Sequence, residues 1–207
     1  MNILILAPHT DDGEYGCGGT IARFVDEGHQ VYCVAFSAAE KSVDPRFPQD
    51  ILRKEILDAA AILKLPRENL QVLNFPVREF PAHRQEILEV MVKLNADFKP
   101  DLVFLPSTTD THQDHQVVSA EGFRAFKKTS ILGYELPWNN LTFATNTFVI
   151  LQEDHVDQKV RALEQYKSQY GRPYGTGDYV RNLANVRGVQ IGAQFAEAFE
   201  SIRWVMK

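Results

Sequence analysis

The chain has 207 residues, of which 44% are hydrophobic and 24% charged, and its formal net charge is -5 at pH 7. This length and composition predict one globular domain over residues 1–207 with a substantial apolar core. The excess of acidic residues removes the general electrostatic attraction on which nucleic-acid binding depends. No apolar run approaches the roughly 20 residues of a membrane span. We therefore expect neither a nucleic acid nor a membrane as partner.

Short apolar runs alternate with longer segments of helical periodicity along the chain. Strands are predicted at 2–7, 30–36, 70–75, 101–106, 131–135 and 146–151, with a last strand within 197–206. Helices are predicted at 19–27, 49–63, 84–98, 116–127, 156–170 and 178–189. This alternation is typical of an α/β protein, here a Rossmann-like three-layer sandwich with a mostly parallel central sheet flanked by helices.

The cysteines bear on the cellular compartment. Cys17 and Cys33 are too few for a disulfide framework and lack metal-knuckle spacing, which favours free thiols in a reducing environment. The first residues lead directly into a strand without the basic region and cleavage site of a secretory signal. A cytoplasmic location is the expectation.

A polar cluster, His-Thr-Asp-Asp-Gly-Glu, occupies residues 9–14 after the first predicted strand. Ligands of open α/β sheets bind at the carboxyl ends of the strands. The imidazole of His9 and the carboxylate of Asp12 are suitable zinc ligands, and Asp11 can take a proton from water at the metal. Alternatively, the cluster is an N-cap of the next helix and His9 is an ordinary loop residue.

A second cluster occupies residues 110–115, after the strand at 101–106. His112 and His115 lie three residues apart with Asp114 between them, and the following apolar residues predict a helix that begins near Gln113. One histidine can complete a three-ligand metal site while the other remains free for acid chemistry. The alternative is a capping Asp114 with two surface histidines. Because both clusters follow strands, we favour a metal-dependent hydrolase.

The glycines after the first cluster suggest a loop that feeds a helix. Gly16, Gly18 and Gly19 precede Thr20, where backbone N–H groups can hold an anionic or polar group. However, Ile21 stands where the third glycine of the dinucleotide-binding pattern G-x-G-x-x-G would fall. A nucleotide-binding enzyme is therefore the less favoured alternative.

Residues 7–20 resemble the H-P-D-D-x-E-x-G-x-G-G-T signature of the LmbE-like, or PIG-L-like, N-acetylglucosaminyl deacetylases, and residues 112–115 resemble their H-x-D-H. Arg187-Gly188 and residues 196–199 also look like features of this family, so the resemblance covers nearly the whole chain. It implies His9, Asp12 and His115 as zinc ligands, Asp11 as general base, His112 as the acid or electrophilic histidine, and Asp114 as the residue that orients His112 or His115.

The implied reaction is hydrolysis of an N-acyl amide, usually the acetamide of a glucosamine-type sugar, with the oxyanion held by Zn²⁺ and protonated His112. Two histidines and an aspartate also accept Fe²⁺, Co²⁺ or Mn²⁺. Thr10 stands where the family usually has proline. Asp110 stands where some relatives have a tyrosine that assists the oxyanion, which leaves that role unassigned or with Tyr134 or Tyr170.

A small-molecule sugar is the expected partner, and five residues are candidates for contact with it. The segment after the fifth predicted strand offers an aromatic surface and a carboxylate, and the loop at 37–48 with the next helix offers charges. The five residues are Tyr134, Glu135, Trp138, Glu40 and Arg53. The alternatives are a strand end plus a turn for the first group and solvated charges for the second.

Three interpretations remain open at this point. The favoured one is a zinc-dependent de-N-acetylase. The others are a metal-dependent hydrolase of another amide or ester, and a catalytically silent sugar-binding relative, although no predicted ligand or base is missing. The aromatic-rich tail favours self-association into a homo-oligomer, but the sequence does not determine the oligomeric state.

Overall fold

The computed structural model describes residues 1–206, which build one seven-stranded sheet in the order β3-β2-β1-β4-β5-β7-β6. The strands are β1 (Asn2–His9), β2 (Gln30–Ser37), β3 (Leu70–Val72), β4 (Leu102–Pro106), β5 (Ser130–Tyr134), β6 (Thr147–Leu151) and β7 (Phe195–Arg203). Strands β1 to β5 pair in parallel, whereas β7 pairs antiparallel with both β5 and β6. The prediction of a mostly parallel sheet is confirmed.

Six α-helices accompany the sheet: α1 (Asp12–Asp26), α2 (Ile51–Ile62), α3 (Arg84–Phe98), α4 (Gln113–Ala125), α5 (Glu153–Leu163) and α6 (Gly177–Val189). The alternating side chains of β1 explain the three layers, because successive residues of a strand point to opposite faces. Ile3 and Ile5 join the core with α1, α2 and α5, while Leu4 and Leu6 join the core with α3 and α4. Within residues 1–206 no helix is long and apolar enough to cross a membrane.

The chain order reverses between β1 and β4, which are neighbours in the sheet although β2 and β3 lie between them in sequence. Such a reversal opens a crevice at the carboxyl ends of the two strands, where α/β proteins bind ligands. Both polar clusters follow these two strands. The topology therefore brings residues 9–14 and 110–115 to one crevice.

Helix α1 begins at Asp12, seven residues before the predicted start at 19, so that prediction was wrong. The glycines stand within the helix, which is interrupted at Cys17 by a non-helical conformation. At this break Lys159 Nζ donates to the backbone carbonyl of Tyr15. Just after it, the Glu197 carboxylate accepts from the backbone N–H groups of Gly19 and Thr20. Tertiary contacts outweigh the low helix propensity of glycine here.

Two other boundaries also differ. Strand β3 ends at Val72 instead of residue 75, and α5 ends at Leu163 instead of residue 170. After Leu163 the chain leaves the helix and forms an irregular segment that contributes to the crevice.

Substitution of Gly16 by alanine is expected to destabilise the protein by about 1–3 kcal/mol, the usual cost of overpacking. A Cβ atom at this position would lie 2.3 Å from Cδ2 of the buried Tyr134 ring. Urea unfolding measures the effect. Gly13→Ala is the matched control in the same helix, because its Cβ would make only ordinary contacts, 3.5 Å from Ile5 Cγ2. Equal stability of the two variants would show that the Tyr134 ring can shift.

Candidate active site

The crevice between β1 and β4 collects three side chains whose ligand atoms form a nearly equilateral triangle. His9 Nδ1 lies 3.1 Å from Asp12 Oδ2, His115 Nε2 lies 3.2 Å from the same oxygen, and the two nitrogens are 3.3 Å apart. A tetrahedral zinc ion about 2.0–2.1 Å from each ligand requires ligand atoms about 3.3–3.4 Å apart. The three predicted ligands therefore fit one metal ion of this size.

Each of the two histidines of this triangle is held at its other nitrogen by a buried carboxylate. His9 Nε2 lies 2.9 Å from Asp114 Oδ2, and His115 Nδ1 lies 2.8 Å from Asp110 Oδ2. Carboxylates in this position fix the orientation of metal-binding imidazoles and increase their basicity. Asp114 thus orients His9, which corrects the expectation that it orients His112 or His115.

Asp110 was noted in the sequence only as a departure from the tyrosine of some relatives, and its role was missed. Its Oδ1 also accepts from the backbone N–H of His112 at 2.8 Å, so it fixes the loop as well as His115. An aspartate five residues before the ligand histidine was the available signal. Asp114 similarly accepts from the backbone N–H of Arg78 at 2.6 Å and of Phe80 at 3.3 Å.

The electrostatics of the triangle favour positive charge. Burial lowers the pKa of His9, but hydrogen bonds to Asp114 and Asp12 outweigh it and raise the pKa to about 9. Burial likewise lowers the pKa of His115, yet the charge of Asp12 and the hydrogen bond to Asp110 raise it to about 10. Burial raises the pKa of Asp12, but the nearby His115 and His9 hold it well below its usual value. Carboxylates that favour imidazolium also favour a metal cation, which displaces the protons when it binds.

Asp11 and His112 flank the triangle in the same crevice. Burial, and then the charge of Asp12, raise the pKa of Asp11, which makes it a stronger base. His112 Nδ1 accepts from the backbone N–H of Asp114 at 3.2 Å, so its other nitrogen is the donor of the neutral ring. Burial, and then His115, lower the pKa of His112. The contact with the N–H of Asp114 describes a neutral ring, whereas the resemblance implies a protonated His112 in the reaction.

The cavity above these residues measures about 220 Å³ and has an aromatic wall. The rings of Trp138 and Tyr174 stack with centroids 3.8 Å apart, and Tyr15 meets both edge-on. Gln169 and Arg172 also line the cavity, and Arg172 NH1 lies 3.9 Å from Asp11 Oδ2. The sequence analysis did not connect Gln169, Arg172 or Tyr174 with the site, because no local pattern links these residues with the two motifs.

Of the five predicted substrate-contact residues, only Trp138 lines this cavity. Tyr134 is fully buried and its hydroxyl donates to the carbonyl of Leu6 at 3.1 Å, so the prediction of substrate contact was wrong for this residue. Glu135 is buried and accepts from Arg187 Nε at 2.9 Å, and both residues line a separate cavity that Trp138 also borders.

The other two residues of that set lie in a neighbouring hollow of about 180 Å³ above β2 and β3. Arg53 Nε donates to Glu40 at 2.8 Å, and its terminal N–H groups donate to the backbone carbonyls of Val72 and Leu73 and to Oδ1 of Asn74. Tyr170, one alternative for the missing tyrosine, is 66% exposed and lies outside the lining of the metal crevice.

Comparison with known proteins places the chain in a family. The family model described as PIG-L, GlcNAc-PI de-N-acetylase, matches residues 4–126, and the chain belongs to this family of deacetylases. The match favours the deacetylase interpretation over the nucleotide-binding alternative.

Curated relatives and solved structures are similar over most of their length. An uncharacterized deacetylase of Escherichia coli (strain K12), YaiS, is 28% identical over 174 residues, which cover 80% of this chain and 90% of that protein. The diacetylchitobiose deacetylase of Thermococcus kodakarensis is 24% identical over 224 residues, 97% of this chain and 82% of that protein. The crystal structure of the conserved protein TT1542 from Thermus thermophilus superposes with a TM-score of 0.80 and 27% identity, and the match covers 100% of this chain and 97% of that one.

Proposed function

We propose that this protein is a metal-dependent de-N-acetylase that hydrolyses the N-acetyl amide of an N-acetylglucosamine-type sugar or sugar conjugate to acetate and a free amine. The observation that carries the proposal is the triangle of His9, Asp12 and His115 beside Asp11 in a deacetylase-family crevice. Zn²⁺ fits the donor set and the spacing, and Fe²⁺, Co²⁺ or Mn²⁺ accept the same donors.

His9 Nδ1, Asp12 Oδ2 and His115 Nε2 would hold the metal, while Asp114 and Asp110 keep the two imidazoles in the required orientation. A divalent ion bound there would supply Lewis-acid activation of the attacking water and of the acyl oxygen.

Asp11 acts as the general base. Its carboxylate takes a proton from the attacking water as the water oxygen bonds to the acetyl carbon, and later delivers a proton to the amine nitrogen as the C–N bond breaks. Its raised pKa matches this exchange, because a stronger base removes the proton more readily and the acid form can return it. The neutral His112 donates from its free ring nitrogen to the carbonyl oxygen as negative charge develops there.

The sugar ring occupies the cavity beside the aromatic wall. Apolar C–H faces of a sugar pack on rings such as Trp138, and its hydroxyls need donors and acceptors such as the side chains of Asn139 and Gln169. The volume of about 220 Å³ suits one sugar residue with its acetamide directed toward Asp11 and His112.

The proposal is tested by amine release from a panel of N-acetyl sugars and conjugates, with acyl esters, other amides and phosphoesters for comparison. We expect the chelator-treated protein to lose turnover and stoichiometric Zn²⁺ to restore it, with primary amine and acetate formed in equal amounts. Turnover confined to esters, other amides or phosphoesters would contradict the de-N-acetylase assignment. Binding of N-acetyl sugars without turnover by the metal-loaded protein would indicate a silent relative.

We also propose a cytoplasmic location and a small-molecule partner. Cys17 and Cys33 are both free thiols, which is usual in a reducing compartment. A single domain and self-association through the tail stay predictions.

A further inference from the structure

A buried carboxylate outside the proposed chemistry lies on the helix behind the cavity. Glu55 of α2 is only 4% exposed, and both of its oxygens accept from one residue. Oε1 accepts from the backbone N–H of Ser168 at 2.9 Å, and Oε2 accepts from Ser168 Oγ at 2.6 Å. A buried carboxylate that is paired with neutral groups costs stability relative to an apolar side chain, so core packing does not account for it.

Ser168 belongs to the wall segment, which we define as residues 166–174. This segment follows α5 and supplies Gln169, Arg172 and Tyr174 to the cavity. The backbone hydrogen bonds of Tyr166 and Lys167 go to the carbonyls of Leu163 and Gln165, just before the segment, and those of later residues stay within it, for example from Gln169 to the carbonyl of Tyr166 at 2.9 Å. Such bonds shape the segment but do not attach it to distant elements.

Few polar contacts attach the wall segment. At its start, Tyr166 donates its hydroxyl to the carbonyl of Thr10 at 2.7 Å, next to the ligand His9. The Glu55 contact follows two residues later, and after it the chain turns through Gly171 in a left-handed conformation with φ of +94°. The Tyr170 hydroxyl then donates to the carbonyl of Glu164 at 3.0 Å, a local contact with the end of α5. Glu55 is thus the last polar anchor to a distant element before Arg172, whose guanidinium lies 3.9 Å from the carboxylate of Asp11.

We propose that Glu55 is a positioning residue that clasps the wall segment through Ser168, so that Gln169 and Arg172 face the cavity. Glu55 does not itself line the cavity. The expected effect of Glu55 on turnover rests on the proposed function, whereas its expected effect on the conformation of the wall segment does not. Without the clasp the segment opens more often, which weakens substrate binding and leaves the metal ligands unchanged.

The first readout is cleavage by trypsin at the Lys167–Ser168 bond, where Lys167 is exposed. A protease needs this stretch extended, and extension breaks both bonds to Glu55. We expect Glu55→Ala to be cleaved at least about tenfold faster than wild type, because hydrogen bonds to a charged group are lost and cleavage follows the open population. Glu55→Gln retains an acceptor for the N–H of Ser168 and a donor for its hydroxyl, and should restore protection.

Two further variants separate the clasp from a general loss of stability. Asp58→Ala removes an exposed carboxylate from the same helix and should be cleaved like wild type. Ser168→Ala removes one of the two bonds to Glu55, together with the bond that Gln169 Nε2 donates to the Ser168 hydroxyl at 3.1 Å, and should give an intermediate rate. In the Glu55→Ala background the effect of this second substitution should be clearly smaller, because the bond to Glu55 is already absent. A full Ser168→Ala effect in that background would overturn the proposal, even if Glu55→Ala lowers global stability.

The second readout is kinetic. We expect Glu55→Ala to raise KM several-fold with bound metal unchanged, and Glu55→Gln to return KM toward wild type. Cleavage and KM indistinguishable from those of Asp58→Ala would overturn the clasp. If the wild type releases no amine from any N-acetyl sugar, the proposed function fails, while the cleavage rates still decide the role of Glu55.

Discussion

Replacing Asp11 with asparagine is expected to lower kcat for amine release by about 10²- to 10⁴-fold, the range that general acid–base catalysis contributes. The amide keeps the size of the side chain but cannot accept a proton from the attacking water at neutral pH. Asp11 is not part of the His9, Asp12 and His115 triangle, so the variant should retain its metal. The loss should therefore appear in kcat and not in metal content.

The measurement is steady-state amine release at saturating substrate, with the metal-to-protein ratio determined on the same sample. Asp58→Asn is the matched control, because it makes the same chemical change at an exposed position of α2. A variant that keeps kcat within about threefold of wild type would remove Asp11 from the role of base, given the expected range. Loss of metal together with activity would instead assign Asp11 to the metal site.

Replacing His115 with alanine is expected to abolish tight metal binding. The substitution removes one of three ligand atoms and leaves Asp110, which is only 2% exposed, without its partner at 2.8 Å. The affinity loss should exceed the roughly 10–100-fold that removal of a supporting carboxylate costs. Competition with a chromophoric chelator gives the dissociation constants, and His83→Ala, outside the crevice, is the control.

A graded series tests the two supporting carboxylates in the same assay. Asp110→Ala and Asp114→Ala should each weaken metal binding by about 10–100-fold, since each holds one ligand imidazole. Their effects should be nearly absent in backgrounds that already lack the corresponding histidine, His115 for Asp110 and His9 for Asp114. Full metal retention after combined substitution of His9, Asp12 and His115 would refute the ligand assignment.

The sequence by itself determined the layered fold and the meeting of its two motifs. Alternation of apolar strands and amphipathic helices encodes a parallel sheet between helices, because each element must bury its apolar face. Motifs that follow β1 and β4 must reach one edge of the sheet, since the carboxyl ends of parallel strands lie together. His9 and Asp12 could therefore be grouped with one of the two histidines of the second motif, and the family resemblance implied that this histidine is His115.

Only the tertiary structure decided which carboxylate supports which histidine and what forms the walls of the cavity. The bond between Asp114 and His9 joins residues 105 positions apart, and its existence depends on how β1 and α4 are placed across the crevice. Tyr134 is an aromatic residue at the end of a strand, a position where sugar-stacking residues are expected, but its ring is buried by close packing against Gly16. The wall segment has no motif of its own, and the bonds of Ser168 to Glu55, 113 positions away, place it beside the site. Sequence spacing describes neighbours along the chain, whereas these contacts arise from packing between distant elements.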